Sequence, residues 1–303
     1  MLLDIGKYRI DNETFEGPDE MRKVQHICKE RLSLVDNEAQ PWVSSEEPPK
    51  HTVTLSYKFY SDYEALNTLL ATEEHNGEIN LNGVRVDNKV LGYFADKSIK
   101  TILLPKLKKG ENIIEITFPI GNRTTIENVF ILGEFNVRCE GVTKTIIPAD
   151  DRIGFGDIVP QGMPFYGANI TYEAELDAPE NCDLRICIGD YIGACIRVKL
   201  DDDDMGVVAF SPYEVTAKNV TKGKHKLTMI LYGNRNNSFG ALHLNHDKNI
   251  WWGPEAWDFM FRYGYWCKYE WKYEYNLKPL GIMASPKIIY EKSCAALKRR
   301  NGD

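Results

Sequence analysis

A short phrase occurs twice in this chain, each time ahead of an alternating strand. Lys109-Gly110-Glu111-Asn112 opens an apolar–polar alternation that runs to Gly121-Asn122-Arg123. Lys222-Gly223-Lys224-His225 opens a second, which runs to Gly233-Asn234-Arg235. The two Gly-Asn-Arg triplets stand 112 residues apart, a typical domain length. A Lys-Gly turn feeding a period-2 strand suits an antiparallel sheet with one buried face. Repeated at this distance, it predicts two tandem copies of one all-β fold. A chain of 303 residues is long enough to give each copy its own core.

The rest of the pattern fills in that outline. Residues 51–60 alternate Val53, Leu55, Tyr57 and Phe59 on one face, and Asn82-Gly83 between two apolar runs signals a tight hairpin. Further strands are expected over 99–104, 112–120 and 128–137, with 143–156 as a connector. In the second unit they are expected over 169–176, 184–188, 194–198, 206–210 and 226–232. Before residue 51 the chain reads differently. An extended stretch over 4–15 leads to a helix over 19–34, with Asp19 as its N-cap, and then to the breakers Pro41 and Pro48-Pro49. The expected division is an N-terminal strand-and-helix segment over 1–50, left from a preceding domain, then sandwiches over 51–141 and 142–290. A disordered tail over 291–303 completes it.

Asn82-Gly83 followed by Gly110-x-Asn112 resembles the sugar-binding jelly rolls of family 2-type glycoside hydrolases. The second unit adds Gln161-Gly162-Met163-Pro164-Phe165-Tyr166-Gly167, Ser211-Pro212-Tyr213, Asn236-Asn237-Ser238-Phe239-Gly240 and Trp252-Gly253-Pro254. This succession is similar to the C-terminal galactose-binding-like domains of large bacterial glycosidases, rhamnosidase-like ones included. The resemblance implies two tandem jelly-roll β-sandwiches serving a glycoside hydrolase as a non-catalytic carbohydrate-binding or scaffolding region. A glycan and a catalytic domain are the implied partners. The second unit departs from the pattern: Gly189-Asp190-Tyr191 stands where the Asn-Gly turn is expected, Gly223-Lys224-His225 replaces Gly-x-Asn, and Asp201–Asp204 has no counterpart.

Aromatic residues crowd the end of the second unit, and sugars present C–H faces that stack on such rings. Trp251, Trp252 and Trp257, in a Gly/Pro-containing loop, are the expected stacking platforms. Asn234, Arg235 and Asn236 are the expected polar readers, with Phe165 and Tyr166 as the opposite wall. Aromatic loops also anchor protein interfaces, so a purely structural docking module is the alternative. A glycosidase in its own right needs two carboxylates across a cleft, and Asp157, Glu173 and Glu255 are the candidates. The run Asp201–Asp204 lacks the spacing of a calcium loop and reads as a solvated turn, leaving structural calcium a remote option. His243, His246 and Asp247 lack a further ligand at zinc spacing, so no metal is expected and His243 is read as a structural hydrogen-bonding group. No cofactor motif is present.

A net charge of −7 without a basic, aromatic-interleaved stripe argues against nucleic acid. No apolar run reaches membrane length, and the first residues lack a signal-peptide core, so no membrane partner is expected and the location is read as cytoplasmic or left open. Seven cysteines without paired spacing read as free thiols. Five Asn-x-Ser/Thr sequons, from Asn12 to Asn236, carry no weight without an export signal.

Overall fold

A computed structural model describes residues 1–35, 48–150, 152–243 and 272–292 of the chain. It is all-β and divides into two compact units, Met1–Asp150 and Asp151–Asp303.

The larger sheet of the first unit is built on β4 (His51–Ser61) and β10 (Gly110–Ile120), antiparallel along their whole lengths. On its other side β10 pairs with β6 (Glu78–Leu81), which turns through Asn82-Gly83 into β7 (Val84–Arg85). The opposing sheet runs β1 (Leu2–Leu3), β11 (Val129–Leu132), β5 (Leu69–Thr72), β9 (Asp96–Leu103), β8 (Val90–Phe94). The period-2 pattern explains which side is buried. β10 turns Asn112, Ile114, Ile116 and Phe118 inward, opposite Phe59, Tyr57, Leu55 and Val53 of β4. Leu70, Ala71, Ile102 and Ile131 are buried from the other sheet.

The N-terminal segment, expected to stand apart, is part of this unit. β1 pairs with β11, and β2 (Ile5–Ile10) adds to β4 beside β3 (Glu16–Glu20). A lone strand cannot satisfy its own backbone groups, and these edges supply the partners. The helix α1 (Met21–Arg31) begins later than expected, and Glu20, not Asp19, caps it by accepting from the Lys23 N–H at 3.2 Å. The expected connector after residue 142 is also a strand. β12 (Phe135–Glu140) and β13 (Thr143–Pro148) form a hairpin whose second arm runs parallel to the end of β4, so the first unit reaches residue 150.

In the second unit β14 (Ile170–Ala178), β20 (Gly223–Tyr232), β17 (Cys195–Leu200) and β18 (Asp203–Val208) lie side by side in that order. This is the order β4-β10-β6-β7 again, antiparallel at every step. The opposing sheet, β19 (Glu214–Val220), β15 (Cys182–Cys187) and β22 (Lys287–Lys292), repeats β9-β5-β11. The duplicated phrase therefore marks a duplicated strand order. β16 (Tyr191–Ile192) pairs with β21 (Gly281–Ile282) as an addition peculiar to the second copy. Its core gathers Ile170, Tyr172, Ile186, Ile196, Val198, Leu227, Met229 and Leu231. β22 runs into the stretch expected as a tail, because its edge completes the sheet on β15.

Candidate functional site

The connection between the last two matching strands is where the copies differ most. In the first unit residues 121–128 join β10 to β11; in the second, residues 233–286 lie between β20 and β22. Each connection opens on its Gly-Asn-Arg triplet. In the first unit the asparagine of that triplet is engaged and half-buried, while Arg123 is exposed: the Asn122 carbonyl accepts from Lys29 Nζ at 3.2 Å and its side-chain oxygen from the Val35 N–H at 2.9 Å. In the second unit Asn234, Arg235 and Asn236 are all exposed.

Buried neighbours hold these three exposed residues in place. Asn237 and Ser238, in the one-turn helix α2 (Asn236–Phe239), are buried. Asn237 clamps Lys278 from both sides, Nδ2 donating to its carbonyl at 2.8 Å and Oδ1 accepting from its N–H at 2.9 Å. Ser238 Oγ donates to the Phe165 carbonyl at 2.8 Å, which brings residues 165–167 against the triplet. A Cβ on Gly167 would lie 2.7 Å from Ser238 Oγ, so the approach requires glycine there. Tyr166, half-buried, donates from its hydroxyl to the Asn169 carbonyl at 3.0 Å. Burial pushes its phenol pKa up. Arg235 has no hydrogen-bond or ion-pair partner for its guanidinium among the described residues, whereas Arg197 is paired with Asp204 and Arg185 with Glu291.

The structure thus brings five of the expected site residues to one locus. Phe165 faces inward there: it is 9 % exposed, its ring edge-on to Tyr275 at 5.2 Å, so it supports the loop instead of forming a wall. Trp251, Trp252 and Trp257 lie outside the described residues, as does Glu255. His243 bonds the Lys272 carbonyl through Nδ1 at 2.8 Å, a structural role. His246 and Asp247 lie outside the described residues. Of the other carboxylates, Asp157 accepts from the Val159 and Leu280 N–H groups, and Glu173 pairs with Lys226 at 2.6 Å. Among the described residues no three His, Cys, Asp or Glu side chains converge as a metal site, and no helix is long and apolar enough to cross a membrane. The five described cysteines are unpaired.

Two features escaped sequence reading. Phe210, 86 % exposed, and Tyr213, with its ring edge-on to Tyr191 at 6.0 Å, project from the turn before β19. The Ser211-Pro212-Tyr213 motif was the available signal. In the first unit Glu73, Glu74 and Glu127 line a small recess with Leu55, Ile116, Phe118 and Val129. Burial there, with Glu73 alongside, pushes the Glu74 carboxyl from 4.5 up to about 7. Nothing in a lone Glu-Glu pair announces that.

The fold defines a class, a tandem pair of all-β sandwiches, the second carrying an exposed polar loop. No family model matches the chain, and no curated protein matches it. Among solved structures it is similar to a rhamnosidase from Novosphingobium sp. PP1Y, over 88 % of this chain and 26 % of that one. The identity is 14 % and the TM-score 0.32. A β-D-mannosidase from Dictyoglomus thermophilum is matched over 81 % and 32 % respectively, at 12 % identity and a TM-score of 0.27. An anti-sigma factor domain-containing protein is matched over 78 % and 91 %, at 12 % identity and a TM-score of 0.23. The chain therefore spans about a quarter to a third of the two glycosidases, 26 % and 32 %. Likeness at these scores transfers no activity, and the site is read from the chain's own residues.

Proposed function

We propose that the chain is a non-catalytic carbohydrate-binding or scaffolding region of a glycoside hydrolase system, with the glycan held by the second sandwich. The observation that carries this reading is the unequal fate of the asparagine in the doubled Gly-Asn-Arg triplet: Asn122 is half-buried and bonded by Lys29 and Val35 in the first copy, whereas Asn234 stands exposed beside Arg235 and Asn236 in the second. A guanidinium unpaired among the described residues, between two amides ordered by the Asn236 N–H to Asn234 Oδ1 bond at 3.0 Å and the Asn236 Nδ2 to Asn237 Oδ1 bond at 3.3 Å, offers donors and acceptors suited to vicinal hydroxyls, and Tyr166 adds an anchored ring. In this reading Trp251, Trp252 and Trp257 supply the stacking faces. Glycan binding is tested by affinity electrophoresis of the full chain through gels containing neutral and uronate-bearing polysaccharides. Retardation by at least one of them is expected, with Arg235→Ala weakening it about tenfold, the loss of a charge-assisted hydrogen bond. Arg235→Ala should leave the melting temperature unchanged. No retardation by any polysaccharide, or retardation that Arg235→Ala leaves intact, refutes the assignment.

A second reading, a structural module docking on a catalytic domain, is favoured by Phe210 and Tyr213, since exposed rings on a turn make interface anchors. It requires binding to a protein partner that Phe210→Ser abolishes and Arg235→Ala does not.

A further inference from the structure

The Asn-Gly hairpin of the first sandwich has a counterpart in the second, and it is not at Gly189-Asp190-Tyr191. Asp201-Asp202 occupies it, on the turn from β17 to β18, with φ of 50° and 70° against 53° and 79° for Asn82-Gly83. The hydrogen bonds correspond one for one. Asn82 N–H donates to the Ile113 carbonyl at 2.8 Å and its Oδ1 accepts from the Ile113 N–H at 2.9 Å. Asp201 N–H donates to the Lys226 carbonyl at 2.9 Å and its Oδ1 accepts from the Lys226 N–H at 2.7 Å. Asn82 Nδ2 then bonds Asn112 Oδ1 at 3.0 Å, while Asp201 Oδ2 bonds His225 Nδ1 at 2.5 Å. Finally Asn112 Nδ2 donates to the Lys108 carbonyl at 2.8 Å, and His225 Nε2 meets the Thr221 carbonyl at 2.7 Å. One unit closes its turns with two neutral amides, the other with a carboxylate and an imidazole.

We propose that the Asp201–His225 pair is a proton-operated latch on the second sandwich, closed while the imidazole carries both protons and loosened when it loses one. Both ring nitrogens face acceptors, a carboxylate oxygen and a backbone carbonyl, so only the imidazolium satisfies both. A neutral ring must leave one nitrogen lone pair against an oxygen lone pair. The Thr221 carbonyl also separates this pair from a catalytic dyad, because it occupies the nitrogen that would otherwise face a substrate. The remaining charged groups around the ring are largely matched among themselves. On β20 Lys224 pairs with Glu175 and Lys226 with Glu173, each at 2.6 Å, and Asp177 of β14 lies opposite Lys224. Asp202 continues the turn, exposed. Asp201, and after it the Thr221 carbonyl, holds the imidazole above its ordinary 6.5, while His225 in turn lowers the Asp201 carboxyl. A folded-state value raised above the unfolded one gives stability that is complete below pH 6.5 and lost as pH rises through the folded value. The Asn82–Asn112 pair has no such dependence and serves as a control within the same molecule.

Two measurements on the full chain test the latch. The first follows the His225 ring by NMR between pH 5 and 9, where a midpoint above 6.5 is expected. The second compares amide exchange at Lys226, which Asp201 holds, with that at Ile113, which Asn82 holds, each corrected for intrinsic rates. Lys226 should lose protection across the His225 titration while Ile113 does not change. Asp201→Asn with His225→Asn, copying the first sandwich, should remove that loss. A His225 midpoint at or below 6.5 overturns the proposal, as does pH-independent protection at Lys226. Should the double variant misfold, the NMR titration and the Lys226–Ile113 comparison in the unsubstituted chain still decide.

Discussion

Replacing Asn112 with alanine asks whether one buried amide, and not the strand around it, closes the turns of the first sandwich. The side chain is fully buried and makes four hydrogen bonds. Its oxygen accepts from the Lys108 N–H at 3.1 Å and from Asn82 Nδ2 at 3.0 Å; its nitrogen donates to the Lys108 and Gly110 carbonyls at 2.8 and 3.2 Å. Each bond contributes about 1 kcal/mol net. Lys108 and Gly110 lie on the exposed turn and regain water, whereas half-buried Asn82 regains less, so Asn112→Ala should cost about 3 kcal/mol. With a urea slope of about 2 kcal/mol/M, the first-unit transition should move down by roughly 1.5 M. Asn112→Asp keeps both accepted bonds but sets a carboxylate oxygen against two carbonyls. It should destabilise at least as much at pH 7 and less at pH 3, where the acid can donate. Asn82→Ala and Asn112→Ala should be non-additive by about 1 kcal/mol, since each removes the other's partner. A loss below about 1 kcal/mol for Asn112→Ala, or strictly additive single losses, would show that the strand pairing alone holds the turn.

Two further outcomes are expected. Glu74, its value raised from 4.5 to about 7, favours the folded state below pH 4.5 and progressively less as pH rises to 7. Glu74→Gln should therefore flatten that fall and stabilise the first unit at pH 8 by about 2–3 kcal/mol, read from urea midpoints between pH 4 and 8; an unchanged profile contradicts the burial of a charged carboxylate. Lys144 and Asp4 form a buried ion pair at 2.9 Å, so Lys144→Met should cost about 3–5 kcal/mol by stranding the carboxylate, and adding Asp4→Leu should recover most of it. A double variant no better than the single one would mean that Asp4 is held by other groups.

Much of the fold is legible in residue order because its signals are local. The alternation in β4 and β10, the Asn82-Gly83 hairpin and the Lys-Gly turns each need only neighbours a few residues away. Other elements depend on partners far along the chain. β13 has no distinctive pattern until the end of β4 offers it an edge, and β2 is an unpaired strand until β4 lies beside it. The candidate site divides in the same way. Tyr166, Asn234, Arg235 and Asn236 could be picked out as polar and aromatic residues in a Gly-rich succession. That Phe165 turns inward depended on Tyr275, more than a hundred residues on. Asp201-Asp202 looked like an acidic run because its hydrogen-bonding partner, His225, does not resemble the Asn it replaces.

Sequence by itself determined that this protein is two copies of one β fold, since period-2 burial and turn chemistry are properties of short segments. Tertiary structure alone decided what each copy does with its repeated motifs. The Gly-Asn-Arg triplet is identical in both copies, yet Lys29 and Val35 bond the asparagine of the first, while that of the second is exposed. The closing pair is a neutral amide in one copy and a titratable Asp–His in the other. Both outcomes rest on contacts between residues distant in the chain, and local pattern carries no record of which distant group arrives.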